Sequence, residues 1–314
     1  MRHPTRALDD DLIALLREDG RISSSEAARR LSAPRTLVAD RIGHLIRERH
    51  LEVAAVLNPD AVGLDAMCLV LIRMSGLAEE AGAAVASHPA ASFVSLTSGP
   101  HDVVAEFRAR SRADMVDAIA AVRTLPGVTA TSTVTYSVIA KSPFTAVAPA
   151  PAARTIVDAV DRGIIDLLQT DGRMSYREIG LRLGISDSTA RARIRRLRED
   201  HVIRVTAIAK RNEVTHSVAM GIGVHSRGDT ATLIATLQSL PEIEFLATAV
   251  GEYDLVCTAS AATLDGLQDV VSRIRASPAV VATTSWVHLR IVKETYRAQA
   301  EALEPDPRAP RRRQ

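Results

Sequence analysis

The sequence predicts an α+β chain of two tandem units, each a winged-type helix-turn-helix domain followed by a ferredoxin-like βαββαβ domain. Three observations carry that expectation. The chain matches itself at a fixed offset, each copy opens on three capped helical patterns, and each continues in strand-like runs interrupted by two helical stretches. The self-match has no gap: "LLREDGRISSSEAARRL" (15–31) aligns with "LLQTDGRMSYREIGLRL" (167–183), an offset of 167 − 15 = 152. The same offset pairs Arg41-Ile42 with Arg193-Ile194, Gly99 with Gly251, Asp102 with Asp254, Pro126 with Pro278 and Lys141 with Lys293.

The first helix of each copy carries an apolar stripe, Leu8, Leu12, Leu15 and Leu16 or Ile164, Ile165, Leu167 and Leu168. Asp19-Gly20 and Asp171-Gly172 end it, glycine being tolerant of a left-handed cap. Ser23-x-x-Glu26 and Ser175-x-x-Glu178 have the spacing of capping boxes that open a short second helix. "LGIS" (183–186) then makes a tight turn, with Ser186 as N-cap of a third helix whose buried stripe is Ala190, Ile194 and Leu197. Val38, Ile42 and Leu45 repeat that stripe in the first copy, and the whole reads as helix-turn-helix.

The second part of each copy opens on "AMCLVLIRM" (66–74) or "VAMGIGVH" (218–225), followed by helical character. "FVSLT" or "FLATA", a turn at Gly99 or Gly251, and "DVVAEF" or "DLVCTA" come next. A second helix (about 111–124 and 263–276) stops at Pro126 or Pro278, and a long β-rich run closes the copy. The order βαββαβ implies an antiparallel four-stranded sheet with both helices on one face, the open face requiring cover by another copy of the same module. The boundaries expected are helix-turn-helix domains at 1–58 and 158–210, and βαββαβ domains at 59–144 and 211–300. A Pro/Ala linker at 145–157 and a disordered basic tail at 301–314 complete the chain.

Composition bounds the function. Apolar residues make up 46% and charged residues 24%, an ordinary balance for a soluble protein, and the net charge is only +2. No apolar run reaches the roughly 18 residues of a membrane span, and the polar N-terminus does not read as a signal peptide, so a cytoplasmic protein without membrane contact is expected. Cys68 and Cys257 sit in short apolar runs and read as buried, reduced and structural. No Cys/His cluster has zinc spacing, and no nucleophile–base arrangement, phosphate loop or catalytic carboxylate pair stands out. A non-enzyme without metal or cofactor is expected.

Against that small net charge, residues 186–198 hold five arginines (Arg191, Arg193, Arg195, Arg196, Arg198) and a single acid, Asp187. At about 100° per residue they fall on both flanks of the buried stripe, with Ser188, Thr189 and Ala192 on the outer face between them. A solvated surface helix would intersperse acids along that face. Guanidinium groups flanking small polar residues instead suit a helix lying in a DNA groove, where arginine grips phosphate and the small residues let base edges approach. In the first copy the same stretch holds Arg35, Thr36 and Arg41, with Asp40 in the slot of Ala192 and Gly43 in that of Arg195. The second copy is therefore expected to dominate affinity, the first contributing weakly or reading a different half-site.

"LGISDSTARARIRRLREDHVIRV" (183–205) and the turn "GEYDLV" (251–256), with the βαββαβ module behind the helices, resemble the Lrp/AsnC family of feast/famine transcription regulators. The resemblance covers nearly the whole chain twice, in a tandem form that departs from the usual single unit, the βαββαβ part corresponding to that family's RAM-type domain. It implies a sequence-specific regulator of duplex DNA that self-associates through the sheet modules and responds to a small effector, commonly an amino acid. It also implies effector binding near the glycine–aspartate turn, hence Gly251, Tyr253 and Asp254, and in the first copy Gly99, His101 and Asp102, where Pro100-His101 replaces Glu252-Tyr253. The same Gly-x-x-Asp spacing also suits a plain hairpin turn. Two other readings stay open: a tetrapyrrole (siroheme) decarboxylase of similar double-module plan, for which His101 is the tempting residue unless it is an exposed loop histidine, and a scaffold that only oligomerises.

Overall fold

The structure, a computed structural model, describes residues 4–48, 51–58, 66–142, 156–209 and 218–295. The expected tail, the boundary expected at 210–211 and all but the last two residues of the expected linker lie outside the described residues. In chain order the first half forms α1 (Pro4–Glu18), α2 (Ser24–Arg30), α3 (Arg35–Arg47), β1 (Leu51–Leu57), β2 (Ala66–Met74), α4 (Ala78–Ser87), β3 (Ala91–Ser98), β4 (Val103–Ala109), α5 (Arg112–Arg123) and β5 (Val128–Lys141). The second half forms α6 (Ala159–Thr170), α7 (Tyr176–Leu183), α8 (Asp187–Glu199), β6 (Ile203–Ala209), β7 (Val218–Ser226), α9 (Ala231–Ser239), β8 (Ile243–Val250), β9 (Leu255–Ala261), α10 (Leu264–Arg275) and β10 (Val280–Glu294). The described residues fall into two compact units, each drawing on both halves. One takes residues 4–48 and 51–58 with 156–208, the other 66–142 with 209 and 218–295.

The helical unit forms where local signals place it. The Ser23, Ser175 and Ser186 hydroxyls accept from the N–H of Glu26, Glu178 and Thr189, satisfying donors that a helix start leaves open. The glutamates expected to complete capping boxes turn outward to guanidinium groups instead, Glu26 to Arg29 and Arg30 and Glu178 to Arg182. The full reciprocal box is made at α6, between Asp158 and Asp161. Inside lie Leu12, Leu16, Val38, Ile42 and Leu45 from one half and Ile164, Ile165, Leu168, Ile194 and Leu197 from the other.

Two expectations need correction here. The strand after each third helix is not a wing folded back on its own domain: β1 and β6 pair with each other across the two halves. Six of the seven β1 residues are buried, so the strand needs cover on both faces, which a solvent-facing wing cannot supply. Gly20 and Gly172 are not left-handed caps either. Their N–H groups donate to Val205 O at 2.9 Å and Val53 O at 2.8 Å, and a Cβ at Gly172 would lie 2.9 Å from Ala54 N. Glycine is needed there because the β1–β6 ribbon comes too close for a side chain.

The turns between second and third helices differ in one telling way. Gly184 adopts φ 68°, and its counterpart Ser32 adopts φ 50° with a side chain that disfavours it. Ser32→Gly is expected to stabilise the helical unit by about 0.5–1 kcal/mol, read as a raised denaturation midpoint at unchanged slope. A lowered midpoint would contradict the strain assigned to this turn.

The second unit is a closed eight-stranded barrel in the order β10-β3-β4-β2-β5-β8-β9-β7. Each half supplies an antiparallel βαββαβ sheet, β3-β4-β2-β5 and β8-β9-β7-β10, as the alternation predicts. The seams are equivalent under the 152-residue offset: Thr135 faces Val250 where β5 meets β8, and Val287 faces Ser98 where β10 meets β3. The open face is thus covered by the other module of the same chain. Side chains alternate across the strands. Cys68, Val70 and Ile72 pack under helices α4 and α5, while Leu69 and Leu71 point into the barrel with Val104, Val134, Tyr253, Val256 and Trp286. Both cysteines are buried, and burial pushes each thiol up to about 12, in keeping with structural roles.

Candidate nucleic-acid interface and barrel turns

Helix α8 is held as the sequence suggests. Gly184 turns the chain, Ser186 caps the helix, and Ala190, Ile194 and Leu197 are buried while Ser188, Thr189 and Ala192 are exposed. The arginines have unequal surroundings. Arg193 Nη1 lies 2.5 Å from Asp158 Oδ2 and 3.0 Å from Asp161 Oδ1, and Arg196 also bonds the fully buried Asp161 carboxylate. The Arg193 guanidinium, with the N–H of Asp161, holds the Asp158 carboxyl down at about 2. These two arginines therefore bolt α8 to the start of α6, a role periodicity on α8 alone cannot reveal. Arg191 lies over the Tyr176 ring at 5.0 Å from its centroid. Arg195 reaches Glu199 only at 3.8 Å, and Arg198 meets Asp19 at 3.2 Å between exposed partners. Such surface pairs are worth little and exchange readily for a phosphate.

In the first half, Arg41 is the counterpart of Arg193 and plays the same part, bonding Asp9 at 2.8 and 2.5 Å. Asp9 aligns with Asp161 at the 152-residue offset, so the pair was visible in the aligned sequences as acid matching acid and arginine matching arginine. Helix α3 begins after Pro34 without a side-chain cap. Arg35, Thr36, Leu37 and Asp40 are exposed on it. At Gly43 an added Cβ would stand 3.0 Å from Arg47 Nη1, so the Arg47 guanidinium fills the space vacated there. The positive charge that Gly43 removes is thus supplied one turn later, by a residue beyond the aligned window.

The two helix-turn-helix segments are joined reciprocally. Arg21 donates to Gly172 O at 2.7 Å and Met174 O at 3.0 Å, and Arg173 donates to Gly20 O at 2.7 Å and Ile22 O at 3.2 Å. Every partner in one set is the other's counterpart at the offset, an isologous contact made within one chain. Arg21 also lies 4.8 Å from the centroid of Tyr176.

At the barrel, the turns expected to bind an effector are structural first. Asp254 Oδ2 accepts from Ser226 N and Asp102 Oδ2 from Met74 N, both at 2.7 Å, so each carboxylate ties its turn to the end of a neighbouring strand. Gly251 has φ 137°, and a Cβ there would come 2.5 Å from Thr133 O. Tyr253 is no surface residue: its ring is buried in the barrel, 6.1 Å from the Trp286 ring, and burial pushes its phenol up to about 12. His101 is likewise not the exposed loop histidine considered above. It is 4% exposed, 6.2 Å from the Trp286 ring, with Nε2 at 3.8 Å from Glu252 Oε1. Trp286, which holds this cluster together, carried no signal in the sequence beyond its place in a β-rich run.

Burial pushes the His101 imidazole below its ordinary value, with Arg73 adding to the fall and Glu252 and Asp102 opposing it. A lowered histidine stabilises the fold above its unfolded value, about 6.5, and that contribution is lost as pH falls through the folded one. The barrel is expected to melt at progressively lower temperature as pH drops below about 6.5, and His101→Gln should flatten that slope. A slope untouched by the substitution would sink the assignment.

Among the described residues no helix is long and apolar enough to cross a membrane, and no group of three or more His, Cys, Asp or Glu could hold a metal ion. Residues 157–198 match the AsnC-type helix-turn-helix domain, and residues 217–298 match the Lrp/AsnC ligand binding domain. The HTH-type transcriptional regulator FL11 of Pyrococcus horikoshii is 33% identical over 144 residues, covering 45% of this chain and 95% of that protein. FL11 of Pyrococcus abyssi is 34% identical over 147 residues, with the same coverage. Among solved structures, the siroheme decarboxylase NirDL superposes with a TM-score of 0.64 at 13% identity, over 94% of this chain and 96% of that one. At that identity the likeness concerns the fold alone.

Proposed function

The chain belongs to the Lrp/AsnC family, and from that premise we propose that it regulates transcription by recognising specific duplex DNA sequences through α8 and α3. One observation carries the proposal. Helix α8 presents Ser188, Thr189 and Ala192 to solvent, with Arg191, Arg195 and Arg198 beside them on a capped helix held rigid by Arg193 and Arg196. A helix so braced can enter the major groove without reorganising, and Arg195 and Arg198 supply phosphate contacts. We also propose that the chain is a tandem form with the domain boundaries set out above, that the barrel modules mediate further self-association, and that a small effector acts at the Gly251–Asp254 turn. There Tyr253 would be part of the wall, while Glu252 and Asp254 keep access to solvent.

Gel retardation of duplex fragments from the chain's own promoter region tests the reading. Retardation that weakens steeply with salt, as counterion release demands, is the expected result. A chain that leaves every duplex unshifted at low salt is not a DNA-binding regulator. A second reading, tetrapyrrole decarboxylation, rests on His101, whose two ring nitrogens are buried without a hydrogen-bond partner among the described residues. A Soret band retained through purification, or siroheme binding lost in His101→Gln, would favour it.

A further inference from the structure

We propose that one chain reads a non-palindromic duplex site, α8 and α3 facing half-sites of different base sequence. The inference rests on the DNA-reading function above and deepens it. The reciprocal Arg21 and Arg173 contacts and the β1–β6 pairing place the two helix-turn-helix segments in equivalent settings within one unit. Two identical helices in such a frame would demand a palindrome, because the symmetry of the protein is copied into its site. The helices here have unlike outer faces. At the 152-residue offset, Ser188 corresponds to Thr36, Thr189 to Leu37, Arg191 to Ala39, Ala192 to Asp40 and Arg195 to Gly43.

The chemistry of each pair points to a different base. Leu37, 43% exposed, offers no donor or acceptor where Thr189 offers a hydroxyl, and an apolar side chain in the major groove matches the methyl group of thymine. Asp40 is exposed and only accepts, so it matches the cytosine amino group and repels the O6 and N7 acceptors of guanine. Ala192 makes neither choice. Arg191 is exposed on α8 beside Ala192, and a guanidinium facing a base edge pairs with guanine, while Arg195, one turn on, falls to the backbone. On α3 the charge comes instead from Arg47 over Gly43, near the helix end and suited to the backbone. The site expected is therefore a guanine-bearing half-site under α8 and a half-site under α3 carrying thymine and cytosine on the strand that it reads. A carboxylate retained on a DNA-facing surface is costly unless it selects a base, which is the physical reason for assigning Asp40 a specificity role.

Selection of bound duplexes from a randomised pool by the full chain tests this, with sequencing of the enriched sites. Two unlike half-sites about one helical turn apart are expected. A variant carrying Thr36→Ser, Leu37→Thr, Ala39→Arg and Asp40→Ala gives α3 the base-facing residues of α8, leaving Gly43 and the Arg47 guanidinium over it unchanged. All four positions are exposed, so the fold is expected to survive, which circular dichroism checks. This variant should shift the enriched site toward a palindrome and gain roughly tenfold or more in affinity for two copies of the α8 half-site. A palindrome enriched by the unaltered chain, or the same consensus from both proteins, overturns the proposal. If neither protein enriches or retards any duplex at low salt, the DNA-reading function itself fails, and this proposal fails with it.

Discussion

Gly221→Leu is expected to unfold the barrel unit. Gly221 on β7 lies opposite Trp286 on β10, and a Cβ at that position would stand 2.2 Å from the indole Cε2 and Nε1 atoms. Two residues on, a Cβ at Gly223 would come 2.5 Å from the Tyr253 ring. Both rings are buried in the barrel, and a close-packed interior resists an added side chain. Gly221→Ala alone should cost about 1–3 kcal/mol by overpacking, and leucine more. The first half shows the alternative solution: Leu69 stands opposite Val134 where the second half has Gly221 opposite Trp286. The double variant Gly221→Leu with Trp286→Val copies that pair and should recover part of the loss. Denaturant unfolding followed by circular dichroism measures both. A single variant as stable as the parent would show that the interior is not packed as described. Trp286 is the only tryptophan, so fluorescence of the Gly221 variants reports directly on the barrel interior.

Replacing Arg195 and Arg198 together with alanine is expected to weaken duplex binding roughly a hundredfold, each lost charged contact removing on the order of 1.5 kcal/mol. The slope of log affinity against log salt should fall by about 2, one for each phosphate contact removed. Arg41→Ala should leave affinity nearly unchanged, because that side chain is committed to Asp9 and is largely buried between α1 and α3. Its cost should instead appear as a loss of about 1–3 kcal/mol in the stability of the helical unit. Titration of one duplex at three salt concentrations, alongside thermal melting, separates the two effects. Equal losses of affinity would mean that α3 carries as much of the binding as α8.

The residues differ in how visible their roles were. Ser186, Gly184 and the Ala190–Ile194–Leu197 stripe act on neighbours within four positions, so their spacing announced both the helix and its turn. The alternation in residues 66–74 announced a strand with two unlike faces, but not that one face would meet a second sheet. Asp161 and Arg193 stand 32 positions apart, and nothing in either local pattern says that one carboxylate will hold two arginines. His101 sits in a polar-looking turn and is buried only because β10, from the other half, runs alongside it; Gly99 in the same turn would place a Cβ 3.1 Å from Ser285 O.

The amino-acid order by itself determined the secondary structure, the recurrence at 152 residues and the concentration of arginine on one helix, because helical and strand periodicity and capping act through near neighbours. Only the tertiary structure decided that β1 and β6 share a ribbon, that the two sheets close on each other, and that two of the five arginines brace the helix. Those outcomes depend on which distant surfaces bury each other, and burial of apolar faces is non-directional until the chain has chosen its contacts.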